Sequence, residues 1–134
     1  MDKKAVIKIL QDNNLTSIEE IPYSESALVL RFQHEFDEDE VEAARAYSND
    51  ESEEEDEEDS DEWYEEYFLP YLNDLAVDNV GEIIEEIMET VHIDAQYVSY
   101  EMDEEEYNYS EFIAVFFLKG KGKEIEQVLE ELEL

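Results

Sequence analysis

The residues through which this chain could do chemistry are 42 carboxylates and two histidines, and it has no cysteine. Lacking thiols, it can build neither disulfides nor thiolate metal sites nor a thiol nucleophile, a composition suited to a reducing compartment. The carboxylates are densest from Asp50 to Glu62, where eleven of thirteen residues are acidic: Asp50, Glu51, Glu53, Glu54, Glu55, Asp56, Glu57, Glu58, Asp59, Asp61 and Glu62, with Ser52 and Ser60 between them. An EF-hand calcium loop needs a glycine at its sixth position for the sharp turn, and this stretch has none. Loose attraction of divalent cations is the most such an array implies, and no closed metal site is read from it.

His34 and His92 lie too far apart in sequence for the short ligand spacing of zinc or iron sites. His34 alternates with Leu30, Phe32 and Phe36 on an apolar strand face, which reads as a core or edge histidine with a hydrogen-bond partner. His92 ends a helical pattern, where an imidazolium suits the negative end of the helix dipole. There is no Gly-x-Ser-x-Gly elbow, phosphate-cradling glycine loop or dinucleotide fingerprint. With so many acids, no carboxylate pair stands out for glycoside chemistry, because only separation in space distinguishes such pairs. The expectation is a non-enzymatic chain without a cofactor.

Charge is the dominant global property. Against 42 Asp and Glu stand only eight Lys and Arg, a net charge of −34. Such a field repels DNA, RNA and anionic lipid and attracts cationic protein surfaces, so neither nucleic acid nor membrane is expected as a direct partner. Three of the eight cations sit in Lys119-Gly120-Lys121-Gly122-Lys123, a turn able to hold a phosphate or carboxylate; offsetting the acidic field is the more economical role.

Aromatic residues interleave with the acids at Glu62-Trp63-Tyr64-Glu65-Glu66-Tyr67-Phe68 and from Tyr97 to Tyr109. Rings beside carboxylates suit Lys and Arg through ion pairing and cation–π attraction. The helical spacing of Trp63, Tyr67 and Tyr71 also fits rings packed inward. The residues singled out for partner contact are Asp50 to Glu62 without its two serines, together with Trp63, Tyr64, Glu66 and Tyr67.

The elements that position these residues follow from periodicity. Asp2 to Asn13 has the spacing of an amphipathic helix, and Ala27 to Phe36 alternates as a strand with one buried side. Between them, Thr16 to Tyr23 allows only a short, marginal strand, because Pro22 signals a turn. Asp37 to Tyr47 reads as a helix with an acidic first turn. Residues 48 to 62 read as a mobile acidic loop. From Trp63 to Leu75 a helical pattern passes through Pro70, predicting a kink or a break into two helices. Val80 to His92 is a core-facing helix with an acidic exterior. Ile93 to Met102 and Phe112 to Leu118 are strands joined by a long connection, the second apolar on both faces and therefore central. Glu124 to Leu134 closes the chain as a helix.

The expected fold is a single α+β domain over residues 1 to 134: a two-layer arrangement of three or four mostly antiparallel strands with helices on one face and a disordered acidic loop. The absence of a long apolar run points to a cytoplasmic protein. The expected function is an acidic interaction protein that binds a basic partner by charge complementarity. A nucleic-acid mimic, inhibitor or immunity protein, engaging a nucleic-acid-binding partner, is its sharper form. The alternatives are a weak calcium- or cation-binding protein and a soluble domain whose acidity serves only solubility. Partner identity and oligomeric state are open at this level.

Overall fold

In the computed structural model, residues 1–24, 26–52, 60–100, 102, 105 and 107–134 are described. They form a four-stranded antiparallel sheet with helices, an α+β fold, with strand order β1-β2-β4-β3. The strands are β1 (Thr16–Ser24), β2 (Ala27–Glu35), β3 (Ile93–Ser99) and β4 (Tyr109–Leu118). β4 is central and apolar on both faces, as its sequence predicts.

β1 is longer than the marginal strand expected. It runs nine residues along the sheet edge, and Pro22 falls where the register shifts between Ile21 and Ser24. An edge strand tolerates proline at such an irregularity because no ladder bond requires the missing N–H.

The strand faces divide the core. Leu28, Leu30 and Phe32 of β2, with Phe112, Ala114 and Phe116 of β4, point toward α1 (Lys3–Asp12) and α4 (Leu69–Val91). Leu30 lies opposite Ala114 and Phe32 opposite Phe112, whose rings stack with centroids 5.8 Å apart. Helix α1 contributes Val6 and Leu10, and α4 contributes Ala76, Val80, Ile83, Ile84 and Ile87. On the other face Ala27, Val29, Ile113, Val115 and Phe117 meet Ile125 and Val128 of the short α5 (Ile125–Glu131). Helices therefore cover both faces of the sheet, not one, and β2 is buried on both sides over its first half. The expectation of a single buried side fails because Ala27 and Val29 are as apolar as the residues alternating with them, and α5 returns to cover them.

Helix α2 (Glu38–Glu51) begins with a capping box. The Glu40 amide donates to Asp37 Oδ1 at 2.8 Å, and the Asp37 amide donates back to Glu40 Oε1 at 3.1 Å. It continues through Ser48, Asn49, Asp50 and Glu51, positions that the sequence reading assigns to or beside the acidic loop. Ser48 is wholly buried, its hydroxyl donating to Ala44 O at 2.7 Å. Asn49 Oδ1 accepts from Trp63 Nε1 at 3.1 Å. These two anchors explain why the helix outlasts its apolar pattern. At the far end of the tract, Ser60 caps the single turn α3 (Asp61–Trp63), and residues 53 to 59 lie outside the described residues.

Pro70 does not break the chain of helices. A π-helical turn, Tyr64–Phe68, joins α3 directly to α4, with the Leu69 amide reaching back to Tyr64 O. Widening the helix here relieves the clash between a proline ring and the preceding turn. The helices read separately over Trp63 to Leu75 and Val80 to His92 thereby run on without a break, and α4 makes up 23 residues of the stretch. Gly81 in its middle has a packing reason: a Cβ there would lie 2.8 Å from the Tyr97 hydroxyl. Among the described residues, no helix is long and apolar enough to cross a membrane.

Candidate functional site

Helices α2 and α4 present their outer faces side by side, and both are acidic. On α4 the carboxylates Asp74, Asp78 and Glu82 fall four residues apart, so they share one exposed stripe. The start of α2 supplies Asp37 and Glu40, held in place by the capping box. Between the helices lies a cleft of about 770 Å³ whose lining includes Glu35, Asp37, Glu40, Asp78 and Glu82. A smaller hollow of about 340 Å³ adjoins it, lined by Tyr47, Glu66, Tyr67, Tyr71 and Asp74 among others. Leu75 and Asp78 line both, so the two hollows adjoin along α4 and together make the groove. Among the described residues, no Lys or Arg lines either part.

At the floor of the larger cleft is His34, 9% exposed. Its Nδ1 is 3.1 Å from Asn79 Nδ2, its ring meets Phe36 edge-on at 5.0 Å, and its Nε2 is 3.7 Å from Glu40 Oε2. Asn79 is the partner that the buried histidine needs. Nε2 is buried without a hydrogen bond among the described residues. His92 sits where the sequence places it, closing α4 in a left-handed conformation at φ 61°.

The residues expected to contact a partner separate into different environments. Asp50 and Glu51 are exposed on the last turn of α2, and Asp61 and Glu62 are exposed on α3. Glu53, Glu54, Glu55, Asp56, Glu57, Glu58 and Asp59 lie outside the described residues. Glu66 and Tyr67 line the smaller hollow. Trp63 is fully buried, which corrects its assignment to the surface: it stacks on Phe68 at 4.9 Å and hydrogen-bonds Asn49. Tyr64 is half-buried and packs edge-on against both Trp63 and Phe68. The reason is the π turn, which carries Trp63 and Phe68 together onto α2 and forms a satellite core with Ala44 and Leu72.

That core holds a cation of the chain's own. The Arg45 guanidinium lies 5.5 Å from the Trp63 ring, 5.3 Å from Phe68 and 6.0 Å from Tyr107, and donates to the Tyr107 hydroxyl at 3.1 Å. Two sites nearer the surface repeat the cation–ring contact, each beside a carboxylate. Arg31 pairs with Glu111 at 2.6 Å and lies 5.6 Å from the Tyr100 ring. Lys123 sits 5.7 Å from the Tyr23 ring and 3.9 Å from Glu131, and the Tyr23 hydroxyl in turn donates to Glu131. The hydrogen bond from Lys123 to Tyr23, and after it the Glu131 charge, hold this ammonium above the ordinary lysine value. In the lysine-glycine turn the Gly120 amide already donates to Asp94 Oδ2 at 3.3 Å, so a carboxylate of the chain stands where an anion would bind.

Sequence reasoning missed most of the groove. Glu35, Asp37, Glu40, Tyr47, Tyr71, Asp74, Asp78 and Glu82 were not singled out, although the four-residue spacing of the last three was a usable signal. Among the described residues, no three acids or histidines converge as they would around a metal ion. Compared with known proteins, the chain matches no family model, no curated protein and no solved structure.

Proposed function

We propose that this chain is a non-enzymatic acidic interaction protein that engages a basic partner protein through the groove between α2 and α4. The observation that supports this most directly is the seven carboxylates lining two adjoining hollows, Glu35, Asp37, Glu40, Glu66, Asp74, Asp78 and Glu82, without one lysine or arginine among the described residues of their walls. Acidity that served only solubility would need no concavity and no sorting of charge. Each basic side chain that enters gains several carboxylates within about one Debye length, ~8 Å at physiological salt, while the net charge of −34 accelerates encounter.

In its finer form the reading is a decoy. The groove and the exposed acids of α2 and α3 present carboxylates to a protein that otherwise binds nucleic-acid phosphates, as an inhibitor or immunity protein does. The test is displacement of fluorescent duplex DNA from a small basic DNA-binding domain. The native chain should release the DNA, more effectively at low salt, and the triple variant Asp74→Asn, Asp78→Asn, Glu82→Gln should require about tenfold more protein. Release that does not occur, or that the triple variant reproduces in full, sinks the proposal.

A further inference from the structure

Taking the groove as the partner-binding face, we infer that its tyrosine end is an arginine subsite and that its occupant is an arginine-bearing peptide segment of the partner. This rests on the reading above and gives it a chemistry.

Twice on its own surface the molecule places a cation against a tyrosine ring and beside a carboxylate: Arg31 with Tyr100 and Glu111, and Lys123 with Tyr23 and Glu131. The smaller hollow holds the same two components without the third. Tyr47 and Tyr71 lie with ring centroids 5.0 Å apart and planes 31° from parallel, flanked by the exposed carboxylates of Glu66, Asp74 and Asp78, and among the described residues no basic side chain lines the space. Tyr47 is 42% exposed, uncommon for a large ring with a neighbour to pack on. A guanidinium is planar, weakly hydrated and forked, so it can lie on a tyrosine face while donating to two carboxylates. An ammonium is compact and strongly hydrated and gains less from the ring.

His34 argues that the occupant is a peptide and not a bare cation. With the Asn79 amide donating to Nδ1, Nδ1 is the acceptor of the ring and Nε2 its N–H, buried in the cleft wall with the Glu40 carboxylate 3.7 Å away, too far for a hydrogen bond. A buried donor left unsatisfied costs about 1–3 kcal/mol, and a main-chain carbonyl satisfies it once a basic group of the same ligand draws the Glu40 carboxylate aside. A polyamine or metal ion carries no acceptor for this position. The two ends of the groove therefore ask for different groups from one ligand, guanidinium at Tyr47 and Tyr71 and carbonyl at His34.

The experiment measures binding of the full chain, at about 0.15 M salt, to two labelled peptides identical except that every basic position is arginine in one and lysine in the other, with spermine as competitor. The arginine peptide should bind about threefold or more tightly than the lysine peptide. Tyr47→Ser should erase that preference by weakening the arginine peptide more than the lysine peptide, with the fold retained in the far-UV spectrum. Equal binding of the two peptides by the native chain, or a preference that survives Tyr47→Ser, overturns the arginine subsite. Spermine that competes as well as the arginine peptide at equal charge overturns the peptide assignment. If the triple groove variant binds both peptides as tightly as the native chain, the proposed function itself fails, a result distinct from either of the others.

Discussion

The box around Arg45 and the groove beside it are built from the same kinds of residue and share helix α2, yet one is closed and the other open. In the box, Trp63, Phe68 and Tyr107 surround a guanidinium that the chain supplies itself. In the groove, Tyr47 and Tyr71 stand beside three carboxylates with no lysine or arginine among the described residues of the lining. The difference lies in which side of α2 each residue faces: Arg45 turns toward the satellite core, and Tyr47 turns outward. A cation–π contact that is half-buried and shared among three rings stabilises the fold, whereas an exposed tyrosine pair gains little until something covers it. An aromatic–acidic composition is therefore no indication of a binding surface until burial is known.

The comparison breaks most readily at Trp63. If it belongs to the closed box, Trp63→Ala should destabilise the chain by about 3–5 kcal/mol in denaturant unfolding, through the cavity left on Phe68 and the lost bond to Asn49. A change within ~0.5 kcal/mol would place the ring on the surface. Arg45→Ala should cost less, roughly 1–2 kcal/mol, because the guanidinium adds cation–π attraction to a core that the rings already form. If that variant unfolds like the native chain, the box does not depend on its cation. The smallest effect, and of opposite sign, is expected in the groove. Neutralising Asp74, Asp78 and Glu82 together removes two like-charged pairs four residues apart and should stabilise the fold by a few tenths of a kcal/mol per pair. Loss of stability in that variant would mean that these carboxylates have structural partners, and the contrast between box and groove would weaken.

Much of the fold was legible in the sequence because periodicity reports burial directly. The stripe Val80, Ile83, Ile84 and Ile87 and the doubly apolar run from Ile113 to Phe117 each imposed an element and an orientation. The errors arose where a local signal was outweighed by distant contacts. Pro22 suggested a turn, but the sheet edge does not need its N–H. Pro70 suggested a break, but a π turn absorbs it. The polarity of Ser48 and Asn49 suggested loop, but Ala44 and Trp63 supply their hydrogen bonds. The groove was less legible than the fold. Its walls come from the end of α1, the end of β2, the two ends of α2, the π turn and α4 as far as Glu82, and a concavity is a relation between segments that no single window contains.

By itself the sequence determined that this molecule is strongly anionic, lacks thiol chemistry and carries the alternating and helical apolar patterns of an α+β core, since composition and periodicity are properties of the chain wherever it lies. Only the tertiary structure decided which carboxylates share a face, that Trp63 is enclosed while Tyr47 is exposed, and that His34 faces Glu40 across a cleft. Those outcomes depend on the rotation of each helix about its own axis. That rotation is set by the sum of all the apolar contacts beneath it and not by the polar residues it happens to display.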